Sequence, residues 1–104
     1  MKQRDGNFEW DTNKAKSNFA KHGVTFQEAK EVFDDVNAAE LYDEDHSRYE
    51  HRYNLIGQSS QRLLFLVFTV SQAGIVNLIS AREADHNHRI LYEEEFIKNN
   101  FSLE

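Results

Sequence analysis

Residues 63–83 read LLFLVFTVSQAGIVNLISARE and include the longest apolar run of the chain. Leu63 to Val70 is apolar on both faces in part, which is typical of a central strand. Ser71 to Gly74 is a turn sequence, so Ile75 to Ile79 should return beside that strand. Ser80-Ala81-Arg82-Glu83 then has the spacing of a helix capping box, which predicts a final helix that runs to about Lys98.

Two further strands are predicted before this hairpin. Glu50 to Ile56 alternates polar and apolar residues, and Gly57 to Gln61 follows as a hairpin loop. Ala38 to Tyr42 is a weaker strand candidate that leads into the acidic turn Asp43-Glu44-Asp45. These segments bring the predicted strands of this half of the chain to four.

The N-terminal part of the chain predicts a short strand followed by a helix. Phe8-Glu9-Trp10 reads as the strand, and the carboxylate of Asp11 is suited to cap the helix that follows. This helix should stop at Gly23, because glycine readily adopts the left-handed conformation at a helix end. One face of this helix would carry Ala15, Phe19 and Ala20.

A second helix should start at once, so that the two form a helical hairpin. Thr25-Phe26-Gln27-Glu28 fits a capping box, and Phe26, Ala29 and Phe33 follow at helical spacing. The helix should end near Asp34-Asp35. The resulting order β-α-α-β-β-β-β-α predicts an α+β fold, a small antiparallel sheet with an N-terminal helical hairpin and a C-terminal helix packed on it.

The length of 104 residues predicts a single domain, with a core at about residues 8–98. No cysteine occurs, which excludes disulfides and thiolate metal sites. The apolar run from Leu63 to Phe68 is far shorter than a membrane span, and polar residues rather than a signal-peptide core follow Met1. We therefore expect a cytoplasmic protein. Leu103-Glu104 resembles the remnant of a restriction site ahead of a purification tag.

The net charge of -6 argues mildly against binding to nucleic acid, but the charges are unevenly distributed. Residues 24–51 contain nine acidic and two basic residues. Residues 10–23 contain three lysines and one aspartate, and residues 52–92 contain four arginines and two acidic residues. A fold that joins the last two segments would create a local basic site. The alternative is a scatter of solvated charges.

The sequence resembles the BrnT toxins from about Phe8 to Tyr92. The N-terminal residues that match this family are Trp10-Asp11, Lys14, Asn18, Lys21-His22-Gly23-Val24, Phe26, Ala29 and Phe33-Asp34. The later matches are Arg52, the hairpin with Gly57, the apolar strand, Ile79-Ser80-Ala81-Arg82, Ala84, Arg89 and Tyr92.

The resemblance implies the toxin of a type II toxin–antitoxin system with a fold similar to RelE ribonucleases. Such a toxin is a ribonuclease that arrests translation. Its partner is a BrnA-type antitoxin whose DNA-binding domain represses the shared operon, and the two form a higher-order hetero-oligomer. No cofactor is implied.

A metal-free ribonuclease needs a general base for the ribose 2′-hydroxyl, fixed cations for the phosphorane-like transition state, and a general acid for the leaving 5′-oxygen. Arg82, placed at the start of the last predicted helix, suits the cation role, as does Arg52. The resemblance places both among the probable active-site residues. The alternative for Arg82 is a salt bridge to a nearby carboxylate.

The other candidate residues each have a structural alternative. Lys21 and His22 are candidate catalytic residues, but cations at a helix C-terminus are also stabilised by its dipole. Tyr92 is a candidate proton donor or base-stacking group, although core-edge tyrosines are common. Asn18 would cap or brace the helical hairpin. The RNA-binding candidates are Lys14, Arg89 and His86.

Metal binding is not expected. His86 and His88 are two residues apart and point to different sides of a helix, which argues against a joint site. The cluster Asp43-x-Asp45-His46 has side chains that can bind a metal, but acidic turns are common and no fourth ligand lies at a suitable spacing in the sequence.

The chain departs from the BrnT pattern near its predicted site. BrnT-like chains usually carry an arginine near position 77 and charged residues near 86–88, where this chain has Asn77, His86, Asn87 and His88. A second hypothesis is therefore a catalytically weak module that binds an antitoxin and modulates repression. A third is a structural or regulatory α+β protein that shares only the scaffold.

Overall fold

A computed structural model of the protein describes residues 1–44 and 50–101. Within these ranges the chain forms six strands, three α-helices and one turn of 3₁₀ helix at Val32–Asp34. The strands are β1 (Lys2–Asp5), β2 (Phe8–Asp11), β3 (Ala39–Asp43), β4 (Arg52–Gln58), β5 (Leu63–Val70) and β6 (Val76–Glu83). The helices are α1 (Thr12–His22), α2 (Phe26–Glu31) and α3 (His86–Asn100).

The strands form one mixed sheet in the order β1-β2-β6-β5-β4-β3. The α+β class and the central position of β5 are confirmed. The prediction of a purely antiparallel sheet is wrong, because β2 pairs with β6 in parallel through Phe8 and Glu9. That pairing joins distant parts of the chain and leaves no local sequence signal.

β1 was absent from the predicted order, which therefore lacked one strand. Its four residues, KQRD, are all polar and exposed, so they show none of the alternation that indicates a strand. It pairs with β2 across a tight turn at Gly6, whose φ of 61° favours glycine.

The two faces of the sheet pack against different helices. On one face, α1 and α2 cover a core that includes Trp10, Phe26, Leu66 and Leu78. On the other, Tyr92 of α3 packs against a smaller cluster that is formed by Ala39, Ile56, Leu63 and Ala84. Most of this second face is not part of either buried cluster.

The predicted ends of α1 and the start of α2 are confirmed. The Asp11 carboxylate accepts hydrogen bonds from the N–H groups of Asn13 and Lys14, and Gly23 closes α1 with a φ of 68°. The Thr25 hydroxyl accepts from the N–H of Glu28, but the Glu28 carboxylate binds Ser59 and Arg62 rather than completing the predicted capping box. The face of α1 predicted to carry Ala15, Phe19 and Ala20 is not a buried one, since Phe19 and Ala20 are exposed. The one buried residue of α1 is polar, Asn18.

The capping box predicted at Ser80 to Glu83 is wrong. These residues continue β6, where Arg82 pairs with Phe65 and Glu83 with Leu64 of β5. Pairing with a buried central strand outweighs the local capping preference. β6 therefore continues to Glu83, past its predicted end at Ile79. The cap forms instead at Asp85, whose carboxylate accepts from the N–H of His88.

The hairpin between β4 and β5 is shorter than predicted. Gly57 and Gln58 belong to β4, and the loop contains residues 59–62. Gly57 is buried beneath the 3₁₀ turn, and a Cβ on it would lie 2.6 Å from Cγ1 of Val32. Glycine is required here by close packing rather than by a turn.

Candidate functional site

The sheet surface opposite α1 and α2, hereafter the open face, carries cross-strand rows of residues. Directly paired residues point to the same side of a sheet. The row nearest α3 contains Arg82, Phe65, Ile56 and Ala39; the next contains Ser80, Val67, Asn54 and Leu41; the third contains Asn77, Thr69, Arg52 and Asp43. The open face therefore brings Arg52 and Arg82 to one surface.

The two arginines are two strands and four residues apart, roughly 16 Å between their Cα atoms from standard strand spacing. Arg82 is exposed, and its guanidinium carbon lies 5.3 Å from the centroid of the Phe65 ring. That ring also stacks on His88, with centroids 4.0 Å apart. Arg82 thus lies against an aromatic surface, and not at a helix N-terminus as predicted.

Lys14, Lys21 and His22 of α1 lie together. They line a pocket of about 170 Å³, hereafter the basic pocket, with Ile79 and Ser80 of β6. The lysines are seven residues apart, two turns of helix, so they share one side of α1. All three are exposed.

Ser80 belongs to both surfaces, since it lines the basic pocket and pairs with Val67 on the open face. The basic pocket is therefore contiguous with the open face, on which Arg82 lies two residues from Ser80 along β6 and Arg52 lies two strands away. The local basic site that the charge distribution allowed is present in the fold.

Asn18 fixes α1 against the edge of β6. Its carboxamide donates to the carbonyl of Ala81 at 2.8 Å and accepts from the N–H of the same residue at 3.0 Å. It also donates to the carbonyl of Val24. The side chain thus pairs with Ala81 as a neighbouring strand would, and it joins α1 and the link between the two helices to the strand that carries Arg82. The alternative of a bracing role is confirmed.

Tyr92 and Arg89 lie apart from the basic pocket. They line a pocket with Gln58, Leu63 and Glu93. The Tyr92 hydroxyl donates to the Asp35 carboxylate at 2.7 Å, and burial together with this hydrogen bond raises the pKa of Tyr92 to about 12. Arg89 approaches Glu83 at 3.9 Å.

The two histidines of α3 have different environments. His86 is the first residue of α3 and is exposed. The ring of His88 completes the capping box, because its Nδ1 accepts from the N–H of Asp85 at 3.2 Å. Burial, with a smaller effect of Arg82, lowers the pKa of His88 despite the nearby Asp85. Sequence reasoning missed this cap, although Asp85-x-x-His88 has the required spacing.

Arg62 was counted among the basic residues of the site segment, but it has a structural role. Its guanidinium makes two hydrogen bonds to the buried Glu28 carboxylate, at 2.7 and 3.0 Å, and a third to the carbonyl of Gly23. The Ser59 hydroxyl also donates to Glu28. Arg62 lowers the pKa of Glu28, and the carboxylate raises the pKa of Arg62. This pair joins the helical hairpin to the β4–β5 loop.

The acidic turn considered as a metal site lies partly outside the described residues, which exclude Asp45 and His46. Among residues 1–44 and 50–101, no group of three His, Cys, Asp or Glu side chains is placed to hold a metal ion. Within the same ranges, no helix is long and apolar enough to cross a membrane.

Comparison with known proteins identifies relatives by sequence family and by fold. Residues 10–88 match the family model described as the ribonuclease toxin, BrnT, of a type II toxin–antitoxin system. The 1.1 Å crystal structure of the Brucella abortus ribonuclease toxin BrnT is similar in fold, with a TM-score of 0.57 and 22% sequence identity. The similarity covers 74% of this chain and 94% of that one. No curated protein sequence has significant similarity.

Proposed function

Because the chain belongs to the BrnT family of ribonuclease toxins of type II toxin–antitoxin systems, we propose that its open face and basic pocket bind and cleave RNA. The reaction is a metal-independent endonucleolytic cleavage that inhibits translation in the cytoplasm. The RelE-like character of the fold is part of the same proposal.

One observation carries the proposal: the fold gathers cations from α1, β4 and β6 around Ser80 on a chain whose net charge is -6. Lys14 and Lys21 come from one helix, and Arg52 and Arg82 from two strands that are not adjacent. The alternative, charges scattered over the solvated surface, gives no reason for cations from separate elements to lie around one residue. A single-stranded polyanion is the ligand that this surface fits best.

In the proposed reaction, a base removes the proton of a ribose 2′-hydroxyl, and the 2′-oxygen bonds to the adjacent phosphorus. The bond from phosphorus to the 5′-oxygen breaks, and an acid protonates that oxygen, which leaves a 2′,3′-cyclic phosphate. Arg82 and Arg52 stabilise the charge on the phosphate oxygens, since guanidinium binds them in pairs. His22 is the candidate acid or base, and Lys21 assists at the phosphate.

The remaining predicted residues have supporting roles in the proposal. Lys14 binds the RNA backbone beside Lys21, and Arg89 and His86 extend the contact along α3. Tyr92 is a poorer proton donor than free tyrosine, since its pKa is raised to about 12 and its hydroxyl is bonded to Asp35. We therefore assign Tyr92 to bracing α3 and leave proton transfer to His22.

The proposal predicts that Arg82→Ala lowers the rate of RNA cleavage about 100-fold, the effect typical of losing one transition-state donor. Purified protein is incubated with RNA in EDTA, and cleavage products are quantified on a gel. Lys16→Ala is the control, because it also removes one positive charge, but from a residue of α1 that lies outside the basic pocket. Full activity of the Arg82 variant, or loss of wild-type activity in EDTA, would contradict the proposed mechanism.

The second candidate function is a catalytically weak module that binds a BrnA-type antitoxin and modulates operon repression. A type II system implies an antitoxin partner. Acidic side chains around Ala39 and Leu41, from Glu40, Glu94 and Glu95, favour a basic segment of that partner. A wild-type chain that binds the antitoxin in a hetero-oligomer but cleaves no RNA would support this function over the first.

A further inference from the structure

A cavity of about 440 Å³ lies at the end of the sheet farthest from α3, and neither the basic pocket nor the arginines occupy it. Its floor is on the open face, where Thr69 and Asn77 are paired across β5 and β6, and Glu9 is the β2 partner of Asn77. Its walls come from the β5–β6 turn, including Gln72, and from Glu50 and His51 before β4.

The cavity has the groups that read the edge of a nucleobase. Within the described residues, the side-chain amides of Asn77 and Gln72 make no hydrogen bond, so both remain available to a ligand. Asn and Gln amides form paired hydrogen bonds with adenine, and carboxylates accept from the amino group of cytosine. The ring of His51 is hydrogen-bonded through Nδ1 to the Tyr42 hydroxyl at 2.7 Å, and as an exposed residue it can still offer a ring face for stacking.

The charges in the cavity favour a base over a phosphate. Glu9 is paired with Lys2 at 3.3 Å, and Glu50 adds a second carboxylate. A phosphate would be repelled by these carboxylates, whereas an amino group would be attracted. The carboxylates disfavour uracil, because it has no exocyclic amino group to donate to them and directs carbonyl oxygens toward them.

The cavity adjoins the proposed cleavage surface. Arg52, Thr69 and Asn77 follow one another across three adjacent strands on the open face. Neighbouring strands are about 4.8 Å apart, so the floor begins one strand from Arg52. A nucleotide whose phosphate contacts Arg52 can therefore direct its base into the cavity.

We propose that this cavity is a nucleobase subsite that selects bases with an exocyclic amino group and disfavours uracil. The proposal rests on the proposed RNA-binding function and adds its substrate preference. Asn77 and Glu9 determine the preference, Gln72 and His51 hold the base, and Arg52 holds the adjoining phosphate.

The test measures binding of four fluorescent 2′-O-methyl pentanucleotides that have uracil flanks and differ only in the central base. These oligonucleotides cannot form the 2′-alkoxide and are not cleaved. Three of the oligonucleotides have adenine, cytosine or guanine at the centre. We expect the one of these three that binds most tightly to have an affinity about tenfold higher than the all-uracil oligonucleotide, which is the gain expected from one paired hydrogen-bond contact to a base. Asn77→Ala and Glu9→Gln should reduce this ratio to less than about threefold.

Two controls separate base reading from general binding. Arg52→Ala should weaken the binding of all four oligonucleotides by the same factor. Gln27→Ala, which removes an exposed amide on α2, should leave all four affinities unchanged. Equal wild-type affinity for all four oligonucleotides, or an equal loss for all four in Asn77→Ala, would overturn the subsite. Cleavage of RNA without base preference leaves the proposed ribonuclease intact, while base preference without cleavage supports the subsite and contradicts the ribonuclease.

Discussion

At the scale of single residues, Asn18 determines how α1 and β6 are held together. A buried amide at this position satisfies the N–H and carbonyl of Ala81 and the carbonyl of Val24. An unsatisfied buried polar group costs about 1–3 kcal/mol. The side chain therefore contributes to stability mainly through the groups that would otherwise lack partners, and it positions the neighbouring Ser80 and Arg82.

Replacing Asn18 with leucine should destabilise the fold, because leucine is similar in size but forms no hydrogen bond. We expect the free energy of unfolding to fall by about 3 kcal/mol, measured by urea denaturation. Asn13→Leu is the matched control on the same helix; Asn13 is exposed, so its effect should stay within about 0.5 kcal/mol. Equal effects of the two variants would show that the contacts with Ala81 contribute little.

At the scale of elements, the boundary between β6 and α3 shows where sequence reasoning succeeds and fails. Caps at Asp11, Gly23 and Thr25 were predictable, because each depends on residues within one helical turn. The end of β6 was not, because it depends on the pairing of Arg82 and Glu83 with β5. The choice between the Ser80 and Asp85 caps was thus decided by the sheet.

The candidate site likewise has a part that can be predicted from the sequence and a part that cannot. The grouping of Lys14, Lys21 and His22 followed from helical spacing within α1. The position of Arg52 relative to Arg82 required the strand order and the cross-strand register. The cavity beside Arg52 could not be predicted, since it combines residues of β2, β5 and β6 with the segment before β4.

The capping box of α3 should make stability depend on pH through His88. The pKa of His88 in the folded protein lies below its ordinary value of 6.5, so above that pH both the folded and the unfolded forms are neutral. As the pH falls below 6.5, the unfolded chain takes up the proton first, and stability is lost until the folded pKa is passed. Protonation of Nδ1 also removes the acceptor for the N–H of Asp85.

His88→Gln tests this dependence, because glutamine also suits the third position of a capping box but does not titrate. Thermal unfolding is followed between pH 7.5 and 5. We expect the melting temperature of the variant to be lower at pH 7.5, where the stacking on Phe65 is lost, but to fall less steeply with pH. Identical pH slopes for both proteins would assign the titration to other groups.

At the scale of the whole molecule, the fold places acidic and basic side chains on different surfaces, although they are only partly segregated along the sequence. The pair of half-buried Arg62 and buried Glu28 lies between the helical side and the β4–β5 loop, so it contributes little to the exposed basic surface. Exposed acids cluster beside β3 and along α3, away from the basic pocket. An acidic protein can therefore present one local surface to RNA and a different one to a basic partner.

This separation predicts that the salt dependence of RNA binding reports the few cations that contact phosphates, Lys14 and Lys21 among them, rather than the net charge. For single strands, each phosphate contact contributes about 0.7 to the slope of log affinity against log salt. Lys14→Ala with Lys21→Ala should reduce the slope for an uncleavable oligonucleotide by about 1.4, measured by fluorescence anisotropy across a salt series. Lys16→Ala with Lys98→Ala removes the same charge outside the basic pocket and should leave the slope unchanged. Equal reductions in the two double variants would mean that RNA binds through diffuse attraction rather than at the basic pocket.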